Sequence, residues 1–289
     1  MELHLALHSE LHSLLIILVA VAVGSYLQAF TGFALGIVVL AIAVLTHAAP
    51  IAIVATTITI VALPGIAIAL VRHWRHIDRA SFFQTLIGLV PGTLLGLWLL
   101  GQMGEEHTAL LQLLLGGLIV AGGIALFIKP KPHPSRSSPA SFVMMGLLGG
   151  LMGGLFSIPG PPLIYHYYRQ PVSIQTIRTS LLALSGAMSL IRLIMQGLQG
   201  ELNAEVMSLG TLSIPVAMLA SWLYVRFPPQ LSDLSMRRGA FALFVAMGGF
   251  ISLTAVLPNA LAAPVKPAMT ARPGKTFSVV SPQFSKPMP

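Results

Sequence analysis

Ser157, Gly160 and Pro161 stand together at one interruption, Ser157-Ile-Pro-Gly-Pro-Pro162, inside an otherwise apolar run. A hydroxyl donor, a glycine that lets backbone come close, and a helix restarting with a positive dipole end and unpaired N–H groups together suit an oxyanion. The competing reading is a proline kink around a neighbouring helix. A kink needs one proline, and Pro159, Pro161 and Pro162 all fall within four residues. Arg178 and Arg192 are the basic residues placed inside apolar runs, where charge is expensive and tied to function. Arg178 is followed by two hydroxyls, Thr179 and Ser180, which strengthens an anion reading; snorkelling from a helix end is its alternative. Arg192 lies toward the cytoplasmic end, where anchoring to phosphates would account for it. Thr56 and Thr57 hold the matching place earlier in the chain, with back-bonding to their own helix as the alternative. Gln28 and Thr31 sit at an earlier interruption. His166, flanked by Tyr165, Tyr167 and Tyr168, reads as a proton-handling group or as part of an interfacial aromatic belt.

These residue types bind rather than make bonds, so no catalytic residue, cofactor or metal ligand is assigned. With no cysteine there is no thiolate nucleophile or thiolate metal site. His4, His8 and His12 share a helical face, but they lack acidic partners for a metal. The chain shows no His-Glu-x-x-His, Gly-x-Ser-x-Gly or phosphate-loop pattern. No Asp or Glu falls within an expected span, which argues against a carboxylate proton relay.

The elements that must position these groups are transmembrane helices. Of the 289 residues 55% are hydrophobic and 8% charged, with mean hydropathy +0.86, against about 25% charged in soluble domains. The net charge of +8 resides in short loops, where it sets topology rather than binding nucleic acid. The fold class expected is an all-α polytopic membrane protein of about eight transmembrane helices in two repeated halves, the first helix of each half broken. The expected organisation is an N-terminal cytoplasmic segment at 1–13, a first repeat at 14–128, a Pro/Ser-rich linker at 129–139, a second repeat at 140–257 and a disordered basic tail at 258–289.

The repeat rests on paired motifs. Pro91 and Trp98 have the spacing of Pro215 and Trp222; Gly122-Gly123 matches Gly248-Gly249; Thr56-Thr57 matches Thr179-Ser180. Counting Lys and Arg over eight spans places both termini in the cytoplasm of a multi-pass inner-membrane protein, with Arg169, Arg226, Arg237 and Arg238 across from the linker. If the segments at 14–45 and 142–168 are re-entrant hairpins instead of broken spans, both the count and the relative orientation of the repeats change.

The glycine-rich segment Gly149-Gly-Leu-Met-Gly-Gly-Leu-Phe-Ser-Ile-Pro-Gly-Pro-Pro162, followed by Ile177-Arg-Thr-Ser-Leu181, resembles the sulfite exporter TauE/SafE family of membrane transporters over residues 14–257. The first-half counterpart, Gln28-Ala-Phe-Thr-Gly-Phe-Ala-Leu-Gly36, lacks the denser glycine run and the proline. The resemblance implies a secondary carrier of a small anion, such as sulfite, a sulfonate or another organosulfur oxyanion, working by alternating access. Its expected partners are that anion and the lipid bilayer; nucleic acid is not one, and homo-oligomerisation is left open. The rival readings are an intramembrane enzyme and a non-transporting scaffold derived from a transporter.

Overall fold

Glycine and proline punctuate a chain that is otherwise helix-forming and apolar, so helices form wherever those residues permit. The computed structural model describes residues 2–31, 34–103, 107–127, 132–227 and 233–256. Its helices are α1 (Glu2–Thr31), α2 (Ala34–Thr46), α3 (Ile51–His73), α4 (Arg79–Gln102), α5 (Thr108–Phe127), α6 (Pro139–Phe156), α7 (Pro161–Tyr168), α8 (Ile174–Leu198), α9 (Ala204–Arg226) and α10 (Asp233–Val256). Five helices are long and apolar enough to cross a membrane, and four more carry shorter apolar stretches. Ile87, Trp98, Leu219 and Trp222 are exposed large apolar side chains on α4 and α9, as expected of a surface bathed in hydrocarbon. The tail at 258–289 and residues 129–131 of the linker lie outside the described residues.

The two interrupted segments are hairpins, not single broken spans. After α7 the chain returns to the place where α6 began. The His133 N–H donates to the Arg169 carbonyl at 2.7 Å, and the Ser137 N–H donates to Gln170 Oε1 at 3.1 Å. The Phe142 ring meets the His166 and Tyr167 rings edge-on at 4.7 and 5.7 Å. In the first half, the Leu35 N–H donates to Gln28 Oε1 at 3.2 Å, and Gly24 lies against the Leu35 backbone. Residues eleven apart on one straight helix would be separated by about 16 Å, so α1 and α2 double back as well.

This moves Arg169 from its expected place across from the linker to a position beside it. One face of the bundle, here the linker face, carries the end of α3, the starts of α4, α6 and α8 and the end of α7. The first hairpin opens on the opposite face and the second on the linker face, so the halves are inverted rather than parallel. The pairings obey that symmetry: α4 lies along α6 as α9 lies along α1, α2 meets α10 as α5 meets α7, and α3–α8 and α5–α10 each cross with their own counterpart. Each motif pair read from the sequence falls on matching helices: α4 with α9, α5 with α10, α3 with α8.

The parallel α4–α6 pair is set by six glycines. A Cβ on Gly88, Gly92 or Gly96 would meet backbone of α6 within 2.3 Å or less, and one on Gly146, Gly150 or Gly154 would meet backbone of α4 within 2.5 Å or less. Without side chains between them, the two helices touch through their main chains, which is how helices gain contact in lipid, where hydrophobic driving force is absent.

A polar clasp closes the linker face. Asp78 caps α4 by accepting from the Ser81 N–H at 3.4 Å and the Ser81 hydroxyl at 2.8 Å, and Arg136 from the linker donates to it at 2.7 Å. The Asp78 N–H donates to Ser180 at 3.0 Å, tying in α8. Burial alone would raise the Asp78 carboxyl, but hydrogen bonds from Ser81 and Arg136 together with the Arg136 charge outweigh it and hold the group below the usual 3.8. A carboxyl lowered in the fold adds stability that is complete above its unfolded value and is lost as pH falls through its folded value. Asp78→Ala is therefore expected to cost about 1 kcal/mol at neutral pH through the lost cap and pair. The gap from the parent should shrink once the pH falls below 3.8; thermal unfolding in detergent at neutral and acidic pH measures both.

Candidate functional site

The tip of the second hairpin and two long helices converge on a buried polar cluster. Phe156 ends α6 because Ser157 adopts the left-handed conformation, φ 58 and ψ 24, unusual for a residue other than glycine. Its N–H closes the helix on the Gly153 carbonyl at 2.8 Å. Ile158, Pro159 and Gly160 then cross to α7, which Pro161 opens at its first position, where a missing N–H costs nothing.

This corrects one part of the sequence reading. The first turn of α7 offers no free N–H: Pro161 and Pro162 have none, and those of Leu163 and Ile164 turn onto the Gly160 carbonyl at 3.0 and 3.3 Å. The tip instead leaves the Ile158 and Gly160 N–H groups without a hydrogen-bond partner among the described residues. The first hairpin meets this tip directly. Gly36, near the start of α2, leaves room for Ile158, since a Cβ there would lie 2.7 Å from the isoleucine side chain. Gly122 of α5 faces both Ile37 and Pro161.

Arg192 is the centre of the cluster and is fully buried. Its Nη1 donates to the Gly153 carbonyl at 2.9 Å and to that of Gly154, so a cation caps the negative end of α6. Its Nε donates to Thr59 Oγ1 at 3.2 Å, and Thr59 lies 2.7 Å from the Ser157 hydroxyl. One turn along α8, Gln196 Nε2 donates to Thr56 Oγ1 at 2.6 Å. Arg192 Nη2 and Gln196 Oε1, both buried, have no partner among the described residues.

The expected residues divide between this cluster and other places. Ser157 and Thr56 belong to it; Gly160 and Pro161 follow Ser157 in the turn, Gly160 against Met152 and Gly149 and Pro161 near Gly122. Thr57 is buried on α3 and donates to its own helix at Ile53, as its bland reading held. Gln28 is spent capping the start of α2. Thr31 closes α1, its side chain outside the described part of the structure. Arg178, Thr179 and Ser180 stand at the linker face, about 18–21 Å along α8 from Arg192; Arg178 is exposed, Thr179 is buried, and Ser180 serves the Asp78 clasp. His166 lies beside Ser141 and Phe142 at that same face.

Thr59 and Gln196 are not among the residues the sequence singles out, and Arg192, an in-span cation with phosphate anchoring as its alternative, is buried instead of anchored at a surface. A signal existed: Ile177, Leu181, Leu184, Met188, Arg192 and Gln196 recur at three- and four-residue steps, one buried stripe of α8 that carries the arginine inward.

An all-helical chain with five helices, among the described residues, long and apolar enough to cross a membrane defines a multi-pass membrane protein. The family model for Sulfite exporter TauE/SafE matches residues 16–251. A protein from Cupriavidus necator described as "Probable sulfite/organosulfonate exporter TauE" is 36% identical over 233 residues, spanning 81% of this chain and 91% of that protein. The chain belongs to the sulfite exporter TauE/SafE family. No solved structure matches it.

Proposed function

We propose that the protein is a secondary transporter of small oxyanions, sulfite or organosulfonates foremost, and that the anion binds at the tip of the α6–α7 hairpin beside Arg192. The observation that carries this reading is a fully buried guanidinium with one nitrogen that has no partner among the described residues, bonded to the end of α6 where the hairpin turns. A cation is costly inside a membrane protein, and a structural cap for two carbonyls would use Nη1 alone. The relative's description as a sulfite/organosulfonate exporter agrees with an anion of this size. Residues 14–128 and 140–257 would then be the two repeats that rock about the shared site.

The same fold supports an orientation. Apart from Arg192 and the four cations of the tail, every Lys and Arg lies by sequence at loops or helix ends of the linker face. The charge rule makes that face cytoplasmic, so the start of α1 and the end of α10 lie on the other side, unlike the cytoplasmic termini expected from eight spans.

Counterflow in proteoliposomes with sulfite, sulfate, thiosulfate and ethanesulfonate tests the function. Exchange of at least one oxyanion, competed by the others, is the expected result; sealed vesicles that exchange none of them would remove the reading. Labelling of single cysteines placed in this cysteine-free chain near Ser135 and Gln199 tests the orientation, the first being expected to react only from the cytoplasmic side.

A further inference from the structure

The hydrogen-bond arithmetic around Arg192 and Gln196 states what kind of oxyanion would fit. Thr56 has a single hydroxyl hydrogen, and it goes to the Ala52 carbonyl at 2.9 Å. In its 2.6 Å contact with Gln196, Thr56 therefore accepts, and the amide nitrogen of Gln196 must face it. In that arrangement Oε1 is the group with no partner among the described residues. Thr59 behaves alike: its hydrogen goes to the Ala55 carbonyl at 2.9 Å, so Arg192 Nε and the Ser157 hydroxyl both donate to it. Ser157 is thereby spent as a donor.

Two groups are left over. Arg192 Nη2 supplies two N–H donors, and Gln196 Oε1 supplies an acceptor. They come from residues four apart on α8, both reaching adjacent turns of α3, so they share one face of the helix. Both residues are almost wholly buried, at 0% and 1% exposure. An oxyanion with acceptor oxygens alone would satisfy the guanidinium and set its own lone pairs against those of Oε1. A buried acceptor left facing another acceptor is costly, whereas one O–H or N–H on the ligand would satisfy it.

Building on the anion-carrier reading above, we propose that the site selects oxyanions that keep a hydrogen-bond donor, such as a singly protonated inorganic oxyanion or a hydroxy- or amino-substituted sulfonate, and that Gln196 reads that donor. Arg192 takes the negative oxygens; Gln196 Oε1 accepts from the O–H or N–H. Gln196 is a specificity residue and Arg192 the anchor.

Calorimetric titration of the purified protein in detergent tests this with ethanesulfonate, 2-hydroxyethanesulfonate and 2-aminoethanesulfonate at constant pH, and with sulfite over a pH series. The expected result is binding of at least one hydroxy- or amino-bearing probe about tenfold or more tighter than ethanesulfonate, with sulfite tightening as pH falls and ethanesulfonate unmoved. The two substituted probes separate an O–H from an N–H as the preferred donor. In Gln196→Met the ratio between probes is expected to fall to about one. Equal affinities across the sulfonates in the parent protein would overturn the selectivity while leaving anion carriage intact; a ratio that survives in Gln196→Met would overturn the role of Gln196; no binding of any oxyanion would sink both this proposal and the function it rests on. The comparison of ligands on the parent protein decides the matter even if the variant does not fold.

Discussion

Arg192→Leu is expected to reduce counterflow at least 100-fold while changing the folding stability by no more than about 2 kcal/mol. Two opposing terms produce the small second number. Removing the guanidinium leaves the Gly154 carbonyl without its cap, at about 1–3 kcal/mol, while the Gly153 carbonyl keeps the Ser157 N–H. It also removes a charge from the interior, which recovers about 2.5–3.5 kcal/mol on insertion scales. Anion binding has no such compensation, because it loses the buried cation that anchors it. Arg192→Lys keeps the charge but presents it as a compact point that cannot reach Thr59 and both carbonyls at once, so an intermediate flux is expected. Arg178→Ala serves as the contrast: its side chain is exposed at the linker face, and flux within about twofold of the parent is expected. Counterflow and thermal unfolding on the same preparations check all three. Parent-like flux in Arg192→Leu would leave the site without its anchor.

Gly150→Ala is expected to cost about 3 kcal/mol or more, a large share of the stability of any protein this size. The added methyl would stand 2.4 Å from the Leu89 carbonyl oxygen and 2.9 Å from the Thr93 nitrogen. Both atoms are backbone, so no side chain can swing aside, and α4 and α6 would have to part along their shared length. Gly117→Ala and Gly249→Ala make the matched controls, since a Cβ at either has nothing within 4 Å. Recovery of folded protein and the melting temperature in detergent are the measurements; a Gly150→Ala protein as stable as the controls would show that the helices tolerate separation.

The punctuation of the chain was readable because glycine and proline act locally. The interruption at Ser157–Pro162, the small-residue rhythm before it and the repeat spacing of Pro91–Trp98 with Pro215–Trp222 all fall where the helices require them. Whether the chain continues or doubles back after an interruption is not a local property. The apolar pattern of α7 is the same in either direction, and the decision rests on long-range contacts such as His133 with Arg169 and Gln170 with Ser137. Without the turn-back, the halves read as parallel and Arg169 falls across from the linker that it meets in the fold. Arg178 and Arg192 show the same limit at the scale of one helix. Both are arginines in an apolar run and lie about 40° apart around α8; their depth along the helix, and the α3 and α6 groups that Arg192 meets there, leave one at the surface and the other in the core. Thr59 and Gln196 gain meaning from each other's neighbours across α3 and α8, not from the residues beside them in the chain.

The glycine seam between α4 and α6 also bears on how the chain is made. When the α6–α7 hairpin leaves the ribosome, the helix it must lie against has already been synthesised, so its short, interrupted arm can dock at once. The first hairpin has no such reception, because α9, its counterpart partner, begins at Ala204. At about 5–20 residues per second, α1 and α2 wait roughly 10 s or longer for that surface. During this interval the nascent amino-terminal arm depends on its own internal contacts, which makes it the part of the molecule most exposed to membrane quality control.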